Sequence, residues 1–301
     1  MTAVIETIAD LRAACDEARG AGRRVGLVPT MGYLHAGHRS LIRAARETTD
    51  FVVVTIFVNP LQFAPGEDLD RYPRDLEGDV RACEEEGADV VFAAPVAEMY
   101  PKPPKTRVSV ADLTADLCGR ARPTHFDGVT TVVAKLLSIV GPCTAFFGRK
   151  DAQQLAVVRR MVDDLSMPVD VVGCPLVREA DGLALSSRNA YLSHDQREAA
   201  TVLFESLRAA ADAVAGGERD AATVAEMLRG SIAARDGVEI DYAEVRDAAE
   251  MTTLDRIEGE VLLAVAARLG ETRLIDNVRL TVRGDTVTAD LGTGFRPDGR
   301  E

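Results

Sequence analysis

The chain has 301 residues, 47% of them hydrophobic, enough apolar material for a sizeable core and a length that fits two domains. With 35 basic residues against 48 acidic ones, its net charge of -13 argues against a nucleic-acid partner, which needs a broad basic footprint. The five cysteines are widely spaced without a C-x-x-C pair and read as reduced thiols of a cytoplasmic protein; no apolar run approaches the roughly 18 residues of a membrane span.

In chain order, the apolar runs 25–28, 51–58, 89–93, 144–147 and 169–172 read as buried strands, separated by helical periods such as 152–165. Runs dense in Val, Ile and Phe that alternate with helices predict a doubly wound parallel sheet over residues 1–176. Ligands of such a sheet bind at the carboxyl ends of its strands. After Cys174 the pattern changes to a polar loop at 178–188, then a long helix starting near Ser193, where Gln196 completes a capping box. A further helix at 221–234 and strand-like runs at 240–245, 261–266 and 272–275 predict a smaller α+β domain over 177–285. Residues 286–301 read as a mobile tail, polar and glycine-containing from Gly292 onward.

Chemistry-bearing residues follow the predicted strands. His35, Ala36, Gly37 and His38 lie between the first strand and a helix, where the helix dipole favours an anion and Gly37 allows close backbone approach. Imidazoles there suit phosphate oxygens, so this segment points to ATP. Residues 29–46 hold three arginines and two histidines with no carboxylate, a local offset to the acidic chain; Arg39, Arg43 and Arg46 equally fit a solvated helix face. Asn59 and Gln62 follow the second strand, and their amides both donate and accept, which suits a substrate with hydroxyl and carboxylate groups. Arg122 and His125 fit either a substrate carboxylate or a capping role. Lys150 stands at a strand-to-helix junction, with Gln154 on the same helical face. Ser186, Ser187 and Arg188 lie on a loop that can close over a triphosphate, or whose serines cap local backbone.

Pro29 to Gly32 leading into His35–His38, then Asn59 to Phe63, Arg71 to Arg74, Phe147 to Asp151 and Ser186 to Asn189 form an ordered set spanning most of the chain. That set closely resembles the pantothenate synthetase, or pantoate-beta-alanine ligase, family. The H-x-G-H signature alone is shared by a larger group of adenylyl-transferring folds; Gln62 and Gln154 narrow the resemblance. It implies a Rossmann-like N-terminal domain of that H-x-G-H superfamily, a C-terminal lid and dimer domain, and a homodimer. The implied reaction joins (R)-pantoate to beta-alanine through a pantoyl-adenylate, splitting ATP with Mg2+ into AMP and pyrophosphate.

By the same resemblance His38 is the proton donor, with His35 its partner at the phosphates and Lys150 a third catalytic group. Met31, Gly32, Tyr33, Leu34, Ala36, Gly37, Gly148, Arg149, Asp151, Val177, Leu185, Ser186, Ser187 and Arg188 complete the ATP site. Gln62 and Gln154, with Asn59, Arg122 and Tyr72, are the implied substrate residues. Magnesium is held by ATP oxygens and water, so no protein metal ligands are expected. Three positions depart from the family pattern: Arg149 where glutamate is usual, Thr124 where glycine is usual, and Leu185 where methionine is frequent. Two other readings share the motifs: a nucleotidyltransferase that adenylylates a phosphorylated substrate without an amine, and a scaffold that binds ATP without turning it over.

Overall fold

The computed structural model describes residues 2–64 and 66–294. The chain forms two compact units, Met1–Gly148 with Val157–Cys174, and Arg149–Ala156 with Pro175–Glu301. The second unit thus takes a short central segment that the sequence pattern assigns to the first domain.

The first unit contains β1 (Ala3–Ile5), α1 (Ile8–Gly20), β2 (Val25–Thr30), α2 (Ala36–Thr48), β3 (Phe51–Ile56), α3 (Leu76–Glu85) and β4 (Val90–Phe92). It continues through α4 (Val96–Met99), α5 (Cys118–Ala121), α6 (His125–Val140), β5 (Cys143–Gly148), the later part of α7 (Ala152–Asp164) and β6 (Val169–Cys174). Its six strands are all parallel, in the order β1-β4-β3-β2-β5-β6. Every residue of β3 except the last is buried, as expected of a strand covered on both faces. Val28 joins Leu41, Ile42 and Ala45 of α2 and Cys83 of α3 in one apolar cluster. Leu27, equally buried, points to the opposite face, where α1 and α6 approach β2. The strand order reverses at β2, because β3 and β4 extend to one side and β5 and β6 to the other. The carboxyl ends of β2 and β5 therefore flank the switch point where such sheets bind ligands.

The second unit carries α8 (His194–Ala199), α9 (Val202–Ala215), α10 (Ala221–Ala233), β7 (Glu239–Asp247), β8 (Gly259–Leu269), β9 (Thr272–Arg283) and β10 (Thr286–Asp290). The strands form an antiparallel sheet, β10-β9-β8-β7, and its apolar face packs on α9 and α10 through Leu203, Leu207, Val224, Leu228, Leu263, Val265 and Val278.

Several elements differ from the sequence pattern. The three-residue β1 is too short to leave a period in the sequence. Residues 286–290, expected in a mobile tail, pair with β9, and Thr293 bridges Val177; the remainder, 295–301, lies outside the described residues. The expected long helix from Ser193 is two. Ser193 and Gln196 do form a capping box for α8, but the helix stops at Ala199, and the Thr201 hydroxyl donates to the Glu198 carbonyl at 2.9 Å, a local bond that competes with continuation.

Candidate active site

The histidine segment leaves β2 and caps α2 with its own side chains. His35 is the N-cap; its Nδ1 accepts from the Gly37 N–H at 3.1 Å, while His38 Nδ1 accepts from the His35 N–H at 3.4 Å. This is a capping box built from imidazoles, with ring centroids 4.1 Å apart. With Nδ1 accepting in this way, a ring in its neutral form carries its proton on Nε2.

The preceding turn is pinned from α3. Asp79, 3% exposed, accepts from the backbone N–H groups of Tyr33 at 2.8 Å and Leu34 at 2.7 Å. Thr30 donates to the Thr55 carbonyl and accepts from the Gly32 N–H. Gly32 sits at φ +84°, and a Cβ there would come within 2.8 Å of the Asp79 carboxylate, so both backbone angle and space call for glycine. Burial pushes the Asp79 carboxyl above its ordinary range, opposed by the two amides it accepts and reinforced by Asp75. Nothing local in the sequence marks Asp79; its partners lie some 45 residues away.

The arginines of α2 do not form an open cationic surface. Arg39 bonds Glu86 at 2.6 Å and Glu85 at 2.9 Å, Arg43 bonds Glu86 at 2.9 Å, and Arg46 bonds Asp89 at 3.0 Å. The local offset expected from residues 29–46 is thus met by carboxylates at the end of α3 and just beyond it.

After β3, Pro60–Gln62 form one turn of 3-10 helix capped by Asn59. Asn59 is 1% exposed and fully engaged: its Nδ2 donates to Gln62 Oε1 at 3.1 Å and to the Gly128 carbonyl at 3.0 Å, and its Oδ1 accepts from the Leu61 N–H and the Tyr100 hydroxyl. It orients Gln62 and has no amide group left over for a substrate. Gln62 Nε2 in turn reaches Met31 Sδ at 2.9 Å, bringing an expected substrate residue against an expected nucleotide residue. Gly128 of α6 permits this packing, since a Cβ would lie 2.2 Å from the Leu61 carbonyl oxygen and 2.6 Å from the Gln62 Cα.

Arg122, expected to meet a substrate carboxylate, already grips one. Its Nε and Nη2 bond Glu67 at 2.7 and 2.6 Å, Nη2 also donates to the Gln62 carbonyl, and His125 Nδ1 lies 3.0 Å from that carbonyl. Burial alone would push the Glu67 carboxyl up, but the hydrogen bonds and charge of Arg122 hold it below its ordinary value. Tyr72 is buried, edge-on to Phe63 with centroids 6.0 Å apart, so it supports this wall through its ring.

In the second unit, Arg149–Asp151 form a 3-10 turn that begins directly after β5 and leads into α7. Arg149 bonds Asp290 at 2.6 Å, so the arginine that departs from the family pattern is tied to β10. Lys150 and Gln154 are half-buried, whereas Gln153 is buried and Asp151 exposed. Val177, Leu185 and the serine loop share one backbone ladder: the Leu185 N–H donates to the Val177 carbonyl, and Ser186 caps the 3-10 turn Ser187–Tyr191 through the Arg188 N–H. The serine therefore does serve the capping role the sequence left open. Among the described residues no group of His, Cys, Asp or Glu side chains is arranged to hold a metal ion, and no helix is long and apolar enough to cross a membrane. Burial pushes the Cys15 thiol up to about 11 and those of Cys83 and Cys143 to about 12, which leaves these three sulfurs poorly nucleophilic.

Comparison with known proteins gives a consistent result. Residues 3–279 match the family model for pantoate-beta-alanine ligase. Pantothenate synthetase of Acetivibrio thermocellus is 52% identical over 279 residues, 93% of this chain and 99% of the relative. The crystal structure of pantothenate synthetase from Thermus thermophilus superposes with a TM-score of 0.87 at 48% identity, covering 92% of this chain and 98% of that one. Pantoate-beta-alanine ligase from Francisella tularensis, solved with beta-gamma ATP and beta-alanine, has a TM-score of 0.75 at 30% identity, covering 92% of this chain and 97% of its own.

Proposed function

Since this chain belongs to the pantoate-beta-alanine ligase family, we propose that it joins (R)-pantoate to beta-alanine in two steps at the carboxyl ends of β2 and β5. A carboxylate resists attack by an amine, so it is first activated. A pantoate carboxylate oxygen attacks the α-phosphorus of ATP, the bond to the β-phosphate oxygen breaks, and pyrophosphate leaves with that electron pair. The amine of beta-alanine then attacks the acyl carbon, AMP departs, and the amine loses a proton. Magnesium enters with ATP as part of the substrate.

The observation that carries this reading is the imidazole capping box. It seats both imidazoles at a helix N-terminus, a place that favours negative charge such as that developing on departing pyrophosphate. The remainder of the proposed ATP site is the Met31–Leu34 turn, Gly148 to Asp151 with the Lys150 ammonium, Val177, and Leu185 to Arg188. Gln62 and Gln154 take pantoate, whose hydroxyl and carboxylate groups match amides that donate and accept. Arg122, Asn59 and Tyr72 act by holding Gln62 and its neighbours. No side chain forms a covalent bond, so rate comes from positioning and charge stabilisation. The molecule works as a homodimer in the cytoplasm.

Product analysis tests this directly. Protein with ATP, magnesium, pantoate and beta-alanine should release AMP and pantothenate in equal amounts, and omitting beta-alanine should abolish AMP release while pyrophosphate release stops after about one equivalent. ADP as product, or steady pyrophosphate release that ignores the amine, would contradict it.

A further inference from the structure

β9 carries two adjacent buried polar residues, Asp276 at 3% and Asn277 at 8% exposure, in a sheet whose neighbouring positions are apolar. Successive residues of a strand face opposite ways, so one short stretch can hold two separate segments. Asp276 accepts a bidentate pair from Arg178, Nη1 to Oδ2 at 2.6 Å and Nη2 to Oδ1 at 2.9 Å. The remaining donors of Arg178 reach the carbonyls of Gly182, Asn277 and Leu291, and its guanidinium stacks 4.0 Å from the Phe204 ring centroid. Arg178 opens the loop that ends in Ser186–Arg188, and the same loop is closed by Asn189, which donates to the Glu179 carboxylate and the Ala184 carbonyl. Asn277 Nδ2 donates to two successive carbonyls, Arg149 at 3.0 Å and Lys150 at 2.9 Å.

We infer that Asp276 and Asn277 are positioning residues that hold the Lys150 turn and the Ser186–Arg188 loop in fixed register on one strand. Two segments more than 30 residues apart in sequence thereby acquire a common anchor. A buried amide that donates to consecutive carbonyls fixes the turn's orientation, and with it the direction in which the Lys150 stem leaves the backbone. Burial pushes the Asp276 carboxyl up, while Arg178, the Asn277 N–H and the charge of Lys150 pull it back, so Lys150 lies within the electrostatic reach of the anchor.

The inference rests on the proposed role of Lys150 at ATP, and a double-mutant cycle separates the two. Turnover and calorimetric ATP affinity are measured for wild type, Asn277→Ala, Lys150→Ala and the double variant. Asn277→Ala should lower kcat/KM for ATP about tenfold in the wild-type background and by less than about twofold once Lys150 is alanine. An equal loss in both backgrounds, or no loss in either, would overturn the positioning role while leaving that of Lys150 intact. If Lys150→Ala itself preserves turnover, the ATP reading of this turn falls, and the inference with it. Asn277→Asp, which keeps the shape but replaces the donor by an acceptor, repeats the cycle should the truncation fail to fold.

Discussion

His38 and Lys150 are where the account makes its sharpest demand on single residues. Each is half-buried, so truncation leaves no core void. His38→Ala should lower kcat on the order of 10²–10³-fold, the range for removing a donor aimed at developing charge, and shift the melting temperature little. It also removes half of the capping box, so about 1 kcal/mol of stability goes with it. Steady-state kinetics beside thermal melts check both parts, and a large melting loss with modest kinetic loss would mark His38 as structural.

Asp79 and Glu67 are opposite cases in pH. The Glu67 carboxyl is held below its ordinary value of 4.5, so its ion pair contributes stability above that value and loses it as pH falls through the lowered one. Asp79 is raised, so its contribution is present at acid pH and declines as pH rises through its folded value. Melting curves from pH 3 to 7 should therefore show a gap between wild type and Glu67→Gln that is present above 4.5 and closes as pH falls below it. A constant gap across that range would contradict the assignment.

At the scale of elements, the approach of the 59–62 turn to α6 is a tight constraint beside the candidate substrate residue Gln62. Gly128→Ala would drive a Cβ against Leu61 and Gln62 backbone and break the Asn59 bond to the Gly128 carbonyl. Overpacking of this kind costs about 1–3 kcal/mol. Because Gln62 moves with the turn, the pantoate KM should rise several-fold more than the ATP KM; equal change in both would show that the turn does not serve pantoate.

The histidine loop, by contrast, was legible from sequence because its logic is local: a strand, a glycine and two imidazoles three apart. The box at Ser193 and Gln196 was legible for the same reason. Asn59 and Arg122 were visible as polar residues at the right places, but their engagement with Tyr100, Gly128 and Glu67 depends on distant chain, which no local pattern encodes. Asp79 and Asn277 left no signal at all, since one lies in an ordinary amphipathic helix and the other in a strand longer than its apolar run. β10 was missed because its alternating Thr and Val, half-exposed at a sheet edge, resemble a solvated tail.

Across the whole molecule, each unit has its own core, and the buried Arg178–Asp276 pair lies inside the second. Removing one partner strands a charge, so Asp276→Ala should cost about 3–5 kcal/mol. Denaturant unfolding monitored with probes in each unit should show the loss confined to the second; an undisturbed transition would mean that the pair is dispensable.

The ligase chemistry joins these scales, since loops at the carboxyl ends of β2 and β5 matter only if ATP activates a carboxylate there. Oxygen labelling tests that step most directly. With pantoate carrying 18O in its carboxylate, one labelled oxygen should appear in AMP at each turnover, because that oxygen bridges carbon and phosphorus before the amine displaces it. Unlabelled AMP, or label recovered in inorganic phosphate beside ADP, would contradict activation through the α-phosphorus.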